Sequence, residues 1–259
     1  MASDANKSYN WGILGCGWLG QALCRALQED QKTCWGTGQS TETLQAIAAT
    51  GGDAIQWKGG PFAVSTWPET AFLLVALPPS AGELALDTAA TLSHEVQHTV
   101  LISSTSVYPA EQGRYRESDA IRRISPHSGA CLLDIEGQFD PARTTILRAG
   151  GLFGPGRHPR GFLRGRPLTN PAETVNMVHQ QDVVRAILHA AEQRLAGPFN
   201  VVSPIQTSRS TFYAAAGAVP CASQEQALPQ GRHILSEALL ETGFTFLHPD
   251  PAKAVLSLT

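Results

Sequence analysis

The chain predicts an α/β protein built on a doubly wound parallel sheet of the Rossmann type, with a small α/β lobe after it. Three observations carry this reading. Strand-like and helix-like segments alternate through the first 150 residues. The strand-like segments are continuous apolar runs, as expected of strands buried on both faces. Near the start, Trp11-Gly12-Ile13-Leu14 runs into Gly15-Cys16-Gly17-Trp18-Leu19-Gly20, a short strand turning through G-x-G-x-x-G into a helix.

Each element has its own reason. Leu19, Leu23, Ala26 and Leu27 recur at helical spacing and give the first helix, near 18–29, an inward face. Strands follow near 33–37 and 54–57, with a helix near 41–50 between them. Phe72-Leu73-Leu74-Val75-Ala76 is a stronger strand, stopped by Pro78-Pro79. A helix near 82–96 leads to a strand at 99–102, and another strand falls at 144–147. Beyond residue 150 come a Gly/Pro/Arg-rich stretch, a helix near 182–193 and a strand near 199–202. A helix near 208–217 and a last one near 236–242, capped by Ser236 and ended at Gly243, complete the pattern. Asp182 is expected to cap the helix that follows it, and Val183, Val184, Ile187, Leu188 and Ala191 form its apolar face. The division this predicts is a dinucleotide-binding domain over 1–150 and a smaller substrate-binding lobe over 151–259, interleaved with the core.

In the glycine turn, Gly15 permits the tight bend, Gly17 lets a diphosphate approach the backbone, and Gly20 lets helix pack on sheet. Helix-terminal N–H groups and the helix dipole favour the anion. Cys16, Trp18 and Leu19 complete this cofactor-binding turn. At the ends of the later strands, Leu77, Pro78, Pro79 and Ser103 border the same crevice. Pro78 and Pro79 equally serve to end a strand. An NAD site usually carries Asp or Glu at the end of the second strand, where Gly38-Gln39-Ser40 stands instead. Gln39 and Ser40 tolerate a 2′-phosphate, although no arginine accompanies them. The cofactor expected is NADP or NAD, with a slight lean to NADP.

Composition bounds the partners. With 259 residues, 42% hydrophobic, 16% charged and a net charge of −3, the chain exerts no global pull on nucleic acid or anionic membrane. No apolar run reaches bilayer length, and residues 1–9 lack the apolar core of a secretion signal, so the expected compartment is the cytoplasm. The five cysteines show no C-x-x-C spacing, so no metal is expected. Cys16 beside a helix start could carry a lowered pKa, against the plainer reading of a small packed side chain. From Arg143 to Arg166 six arginines and His158 occur, with no acidic residue between 141 and 172. Guanidinium forks suit phosphate or carboxylate, which points to a small anionic substrate held by Arg157 and His158. The competing reading is a solvated loop. The assembly stays open, a homodimer included.

Several segments in order resemble the extended short-chain dehydrogenase/reductases, in their atypical epimerase/dehydratase-like branch. They are the glycine turn, Ile102-Ser103-Ser104-Thr105-Ser106-Val107-Tyr108-Pro109, Leu147-Arg148-Ala149-Gly150-Gly151-Leu152-Phe153-Gly154-Pro155-Gly156-Arg157, Val175-Asn176-Met177-Val178-His179 with Asp182, and Phe199-Asn200-Val201-Val202. The resemblance covers nearly the whole chain. It implies that Ser104 is the catalytic serine, orienting a substrate carbonyl or hydroxyl, with Ser106 in the substrate pocket; a strand-end capping role fits Ser104 equally. It also implies a Tyr-x-x-x-Lys pair for proton chemistry, and that pair is missing: aligning Glu136 with the family's glutamate puts Ser128 at the tyrosine and Leu132 at the lysine. Tyr108 and His179 are the candidate replacements, with Tyr115 and His127 behind them, and His179 is of interest because histidine titrates near neutrality. A lone histidine is more often a structural hydrogen-bonder.

Overall fold

The computed structural model describes residues 8–61, 66–218 and 229–258. Its central sheet is assembled from β1 (Tyr9–Leu14), β2 (Cys34–Gly38), β3 (Asp53–Gln56), β4 (Thr70–Val75), β5 (His98–Ser104), β7 (Thr144–Ala149) and β11 (Gly197–Val201). The strand order is β11-β7-β5-β4-β1-β2-β3. Pairing is parallel between β1 and both β2 and β4, between β2 and β3, and between β4 and β5. The order reverses direction at β1, so the crevice of a doubly wound sheet opens at that strand's carboxyl end, where Gly15 begins the turn.

Helices α1 (Trp18–Glu29), α2 (Thr41–Ala49) and α3 (Glu83–Ser93) alternate with the first strands as expected. The buried face of α1 is Leu19, Gly20, Leu23, Cys24 and Leu27, with Cys24 taking the place that periodicity gives to Ala26. Trp35, Trp57 and Trp67 join Leu14, Leu73, Val75 and Leu101 in the principal core. Trp35 and Trp67 stack with centroids 5.2 Å apart, and Trp57 meets Trp67 edge-on at 5.6 Å. Offset and edge-to-face pairs of this kind add about 0.5–1.5 kcal/mol beyond the burial of their area.

The chain folds as two compact units. The first comprises 1–103, 122–147 and 187–198, and the second 104–121, 148–186 and 199–259. The division cuts β5 after Ser103 and β7 after Leu147. In the first unit, α4 (Leu132–Glu136) is only five residues long. The second unit holds the short strands β6 (Gly113–Tyr115), β8 (Gly151–Phe153), β9 (Thr174–Val175), β10 (Met177–His179), β12 (Thr207–Ser208) and β13 (Arg232–Ile234). They pair two by two as β10 with β8, β12 with β9 and β13 with β6. Its helices are most of α5 (Gln180–Glu192), together with α6 (Arg209–Ala215), α7 (Glu237–Glu241) and α8 (Pro251–Leu256). Phe153, Phe212, Ala216, Ala254 and Val255 form its apolar cluster.

Two expected caps differ. Asp182 lies inside α5, completely buried, and its carboxylate accepts from the backbone N–H of Leu247 at 2.6 Å and of His248 at 3.0 Å. It fastens the 247–248 segment instead of capping the helix. Ser236 precedes α7 without capping it, because its hydroxyl accepts from Val202 N and donates to Val202 O, both at 2.9 Å. Gly243 does follow α7, at φ +87°.

Candidate functional site

In the first unit the glycine turn is built from β1 outward. Gly15 has φ +81°, and a Cβ there would lie 2.8 Å from the Ala76 carbonyl oxygen. The adjoining strand ends therefore exclude any side chain. Gly20 sits under Ile13 and Cys16, so its hydrogen allows α1 to lie close on β1. Gly17 differs from both: a Cβ added to it would meet nothing within 4 Å. The protein itself has no steric need for glycine at this exposed position.

The donors of this cradle are narrower than the sequence implies. Gly15 N–H donates to Thr37 Oγ1 at 2.9 Å, Cys16 N–H to Thr37 O at 3.0 Å, and Gly17 N–H to Gly15 O at 2.8 Å. The helix-terminal amides of α1 follow this turn, and Gly17 as N-cap offers no side chain to bond them. Thr37 escapes sequence reasoning. It is a buried residue of β2 whose hydroxyl and carbonyl together hold the turn in shape. Its signal is a β-branched hydroxyl placed two residues before the strand-end Gln39.

Cys16 is buried with its Sγ 3.7 Å from Cys24 Sγ. That contact, followed by burial, pushes the Cys16 thiol up, so the lowered pKa considered for it does not arise. Among the described residues there is no cluster of His, Cys, Asp or Glu able to hold a metal. Gln39 is exposed at the end of β2. Ser40 caps α2 by accepting from Thr43 N–H at 3.3 Å. Its bond to Glu42, reinforced by that residue's own backbone N–H, holds the Glu42 carboxyl below the usual carboxylate range. After β4, Leu77 is half-buried and lies within 3.2 Å of the Cβ position of Gly15. Pro78 accepts from Ala81 N–H in the turn that Pro79 opens. Ser103 donates its hydroxyl to the buried Glu136 at 2.6 Å, an acceptor that the sequence singles out only for alignment.

In the second unit, Ser104 caps a single helical turn, its Oγ accepting from Ser106 N–H at 3.1 Å and lying 3.0 Å from Ser106 Oγ. Both serines are half-buried. Tyr108 is fully buried. Its hydroxyl donates to Asn200 Oδ1 at 2.6 Å and accepts from Arg148 Nη1 at 3.1 Å. Arg148 also donates to Glu117 O at 2.8 Å, while Glu117 Oε1 accepts from Asn200 N–H at 2.7 Å. Burial raises the Tyr108 phenol above its ordinary range. With its proton already bonded to Asn200, Tyr108 has none to offer a substrate, and the replacement role considered for it gives way to a structural one.

His179 ends β10, almost fully buried, with Nδ1 accepting from Gln181 N–H at 3.2 Å. Its ring lies 4.1 Å from that of His248, centroid to centroid. Burial, then the neighbouring His248, lowers its pKa to about 4. At neutral pH it is an uncharged acceptor, which removes its promise as an acid. Of the six arginines, Arg148 belongs to the buried network above. Arg143, in the first unit, donates to the carbonyls of His94 and Val96. Arg157 is exposed at a tight bridge with Gly154, and His158 uses Nδ1 to accept from Arg160 N–H at 3.1 Å. Ser128 is exposed and Leu132 is buried at the start of α4, so neither replaces the missing pair.

The fold and the glycine turn define a Rossmann-type architecture, one shared with solved epimerase/dehydratase-like structures. No family model matches the chain. It is similar to YeeZ from Escherichia coli K12, with 27% identity over an alignment of 266 positions that covers 92% of this chain and 96% of that protein. A Methylobacillus flagellatus structure assigned as an NAD-dependent epimerase/dehydratase superposes with a TM-score of 0.77 at 21% identity, covering 96% and 97% of the two chains. MoeE5, solved in complex with UDP-glucose and NAD, gives a TM-score of 0.70 at 21% identity, covering 95% and 97%. Among the described residues no helix is long and apolar enough to cross a membrane.

Proposed function

We propose that this chain binds a nicotinamide dinucleotide over the Gly15–Gly20 turn and acts as a reductase or epimerase-like oxidoreductase on a small anionic metabolite. The observation that carries the first half is Gly17, a glycine with no intramolecular reason to be one. A diphosphate lying against that backbone supplies the reason. When bound, the dinucleotide gives or takes a hydride. Trp18 and Leu19, in the first turn of α1, lie beside the phosphates, and Leu77, Pro78 and Pro79 border the bound molecule. At the ribose, Gln39 leaves room for a 2′-phosphate, while the ionised Glu42 works against one, so the preference for NADP over NAD is slight.

In this reading Ser104 orients the substrate oxygen, and its contact with Ser106 Oγ lets a proton pass between that oxygen and water. Arg157 and the free edge of His158 attract the anionic group. With Tyr108 and His179 committed to the interior, no side chain of near-neutral pKa is assigned to the proton transfer. Turnover on this basis is slow and weakly dependent on pH.

A second reading, a nucleotide-binding sensor or scaffold without turnover, is favoured by one observation: Ser128 and Leu132 occupy the positions of the missing pair. The two readings separate experimentally. Calorimetric titration with the four nicotinamide dinucleotides tests binding, and nicotinamide absorbance with a panel of anionic carbonyl and hydroxyl compounds tests turnover. Turnover that Ser104→Ala abolishes supports the enzyme. Binding without any absorbance change across the panel supports the sensor, and no binding at all overturns both.

A further inference from the structure

The second unit contains a cavity of about 220 Å³ that no residue assigned above lines. Its wall includes Arg114, Thr174, Asn176, Gln206, His233 and Glu237. The space is held open by groups fully engaged elsewhere. Asn176 Nδ2 donates to Arg232 O and its Oδ1 accepts from Ile234 N–H, each at 2.9 Å. Ser236, also on the wall, is bound at both its donor and its acceptor by Val202. These bonds tie β13 to its neighbours, so the wall cannot relax inward without breaking buried polar contacts.

The hydrogen bonds also settle which nitrogen of His233 bears the proton. Thr174 Oγ1 donates its single hydrogen to Gln230 O at 2.9 Å, so towards His233 Nδ1, 3.2 Å away, it can only accept. Nδ1 therefore carries the hydrogen, and in the neutral ring Nε2 is a bare acceptor. Burial, then Arg114, lowers the His233 pKa and so favours the neutral ring. Nε2 has no hydrogen-bond partner among the described residues. At the cavity Glu237 is shared by two guanidiniums: its Oε1 lies 3.7 Å from Arg114 Nη2, and its Oε2 accepts from Arg116 at 2.6 Å.

The wall thus combines an imidazole, a carboxylate, a guanidinium and the carboxamide of Gln206, so donors and acceptors stand side by side. Val175, Ile234 and Leu240 supply its apolar side. A simple anion would satisfy Arg114 and be repelled by Glu237 and the Nε2 lone pair. A ligand carrying several hydroxyl groups on a small ring satisfies all of them, because each hydroxyl both donates and accepts. We infer that this cavity is a second ligand site, separate from the residues proposed for catalysis, and that it takes a small neutral polyol of about the size of a single six-membered ring.

The test uses the full chain with myo-inositol and D-glucose as probes, and with inorganic phosphate and acetate as anionic controls. Ring nitrogen NMR follows His233 directly. The expected free state is the Nδ1–H form, and polyol addition shifts Nε2 while the anions leave it unmoved. His233→Asn keeps a donor for Thr174 and deletes the Nε2 acceptor, so it weakens polyol binding about tenfold. Gln206→Ala, at an exposed position that leaves the fold intact, weakens it several-fold. A free ring protonated at Nε2, a response to phosphate or acetate in place of the polyols, or no response to any probe overturns the inference. Nucleotide titrations run in parallel keep this outcome distinct from that of the proposed function.

Discussion

Replacing Gly17 with valine separates ligand binding from folding. The native residue has φ −81°, on the side of conformational space open to L-residues, and the new side chain enters space with no protein atom within 4 Å of its Cβ. Stability should change by less than about 1 kcal/mol, as for other exposed substitutions. The isopropyl group would stand where a diphosphate meets the first turn of α1. Losing two charge-assisted hydrogen bonds there costs about 3 kcal/mol or more, a drop in affinity of about 100-fold. Gly15→Ala is the contrast. It forces a side chain into the left-handed region, at about 1–2 kcal/mol, and against a backbone oxygen 2.8 Å away, so it should lower the melting temperature. Calorimetry with NADPH and NADH, together with thermal unfolding of both variants, reads the two effects. Native affinity in folded Gly17→Val refutes the proposed cradle.

The remaining predictions concern the groups that hold the site. Thr37→Val leaves the Gly15 N–H without its acceptor and should cost about 1–3 kcal/mol in urea unfolding, with weaker nucleotide binding alongside. Tyr108→Phe removes the hydroxyl shared by Asn200 and Arg148. Unfolding should become easier by about 1–3 kcal/mol while any turnover per folded molecule is retained, and selective loss of turnover would restore Tyr108 as a proton donor. His179 has its pKa lowered in the fold from 6.5 to about 4, so its contribution to stability is complete above pH 6.5 and is lost as pH falls towards 4, amounting to about 3 kcal/mol. Asp182, raised by burial, contributes in the opposite direction, so the comparison is with His179→Asn, which should flatten that part of the stability–pH curve. Identical pH slopes in the two proteins would refute the assignment.

The alternation of apolar runs makes the sheet and its helices legible, because strands buried on both faces leave a signal in local composition alone. The short strands β6, β9, β12 and β13 leave none, since two or three residues give no periodicity and their pairing is non-local. A local signal does mark α8: Asp250-Pro251, a cap followed by proline, opens it, with Asp250 accepting from Ala252 N–H at 3.0 Å. Site residues are legible where backbone conformation demands a residue type, as at Gly15. They are illegible where a hydroxyl or carboxylate acts through a partner distant in sequence. Thr37, 22 residues beyond Gly15, and Asn200, 92 beyond Tyr108, are of this kind.

The same distinction explains why the catalytic candidates fare differently from the cofactor turn. Tyr108 and His179 stand out in the sequence for what their side chains can do in water, but burial decides what they do in the protein. The phenol is bonded to Asn200 and Arg148, and the imidazole is held neutral beside His248. Each belongs to a buried network that would leave unpaired polar groups if it turned outward, a cost that outweighs any benefit from exposing one acid. Ser104 and Ser106 are under no such constraint, being half-buried and bonded mainly to each other. If the chain is an enzyme, its proton chemistry therefore runs through hydroxyls and water, groups that assist by position and not by a matched pKa. Its advantage over solution then comes from holding two reactants together.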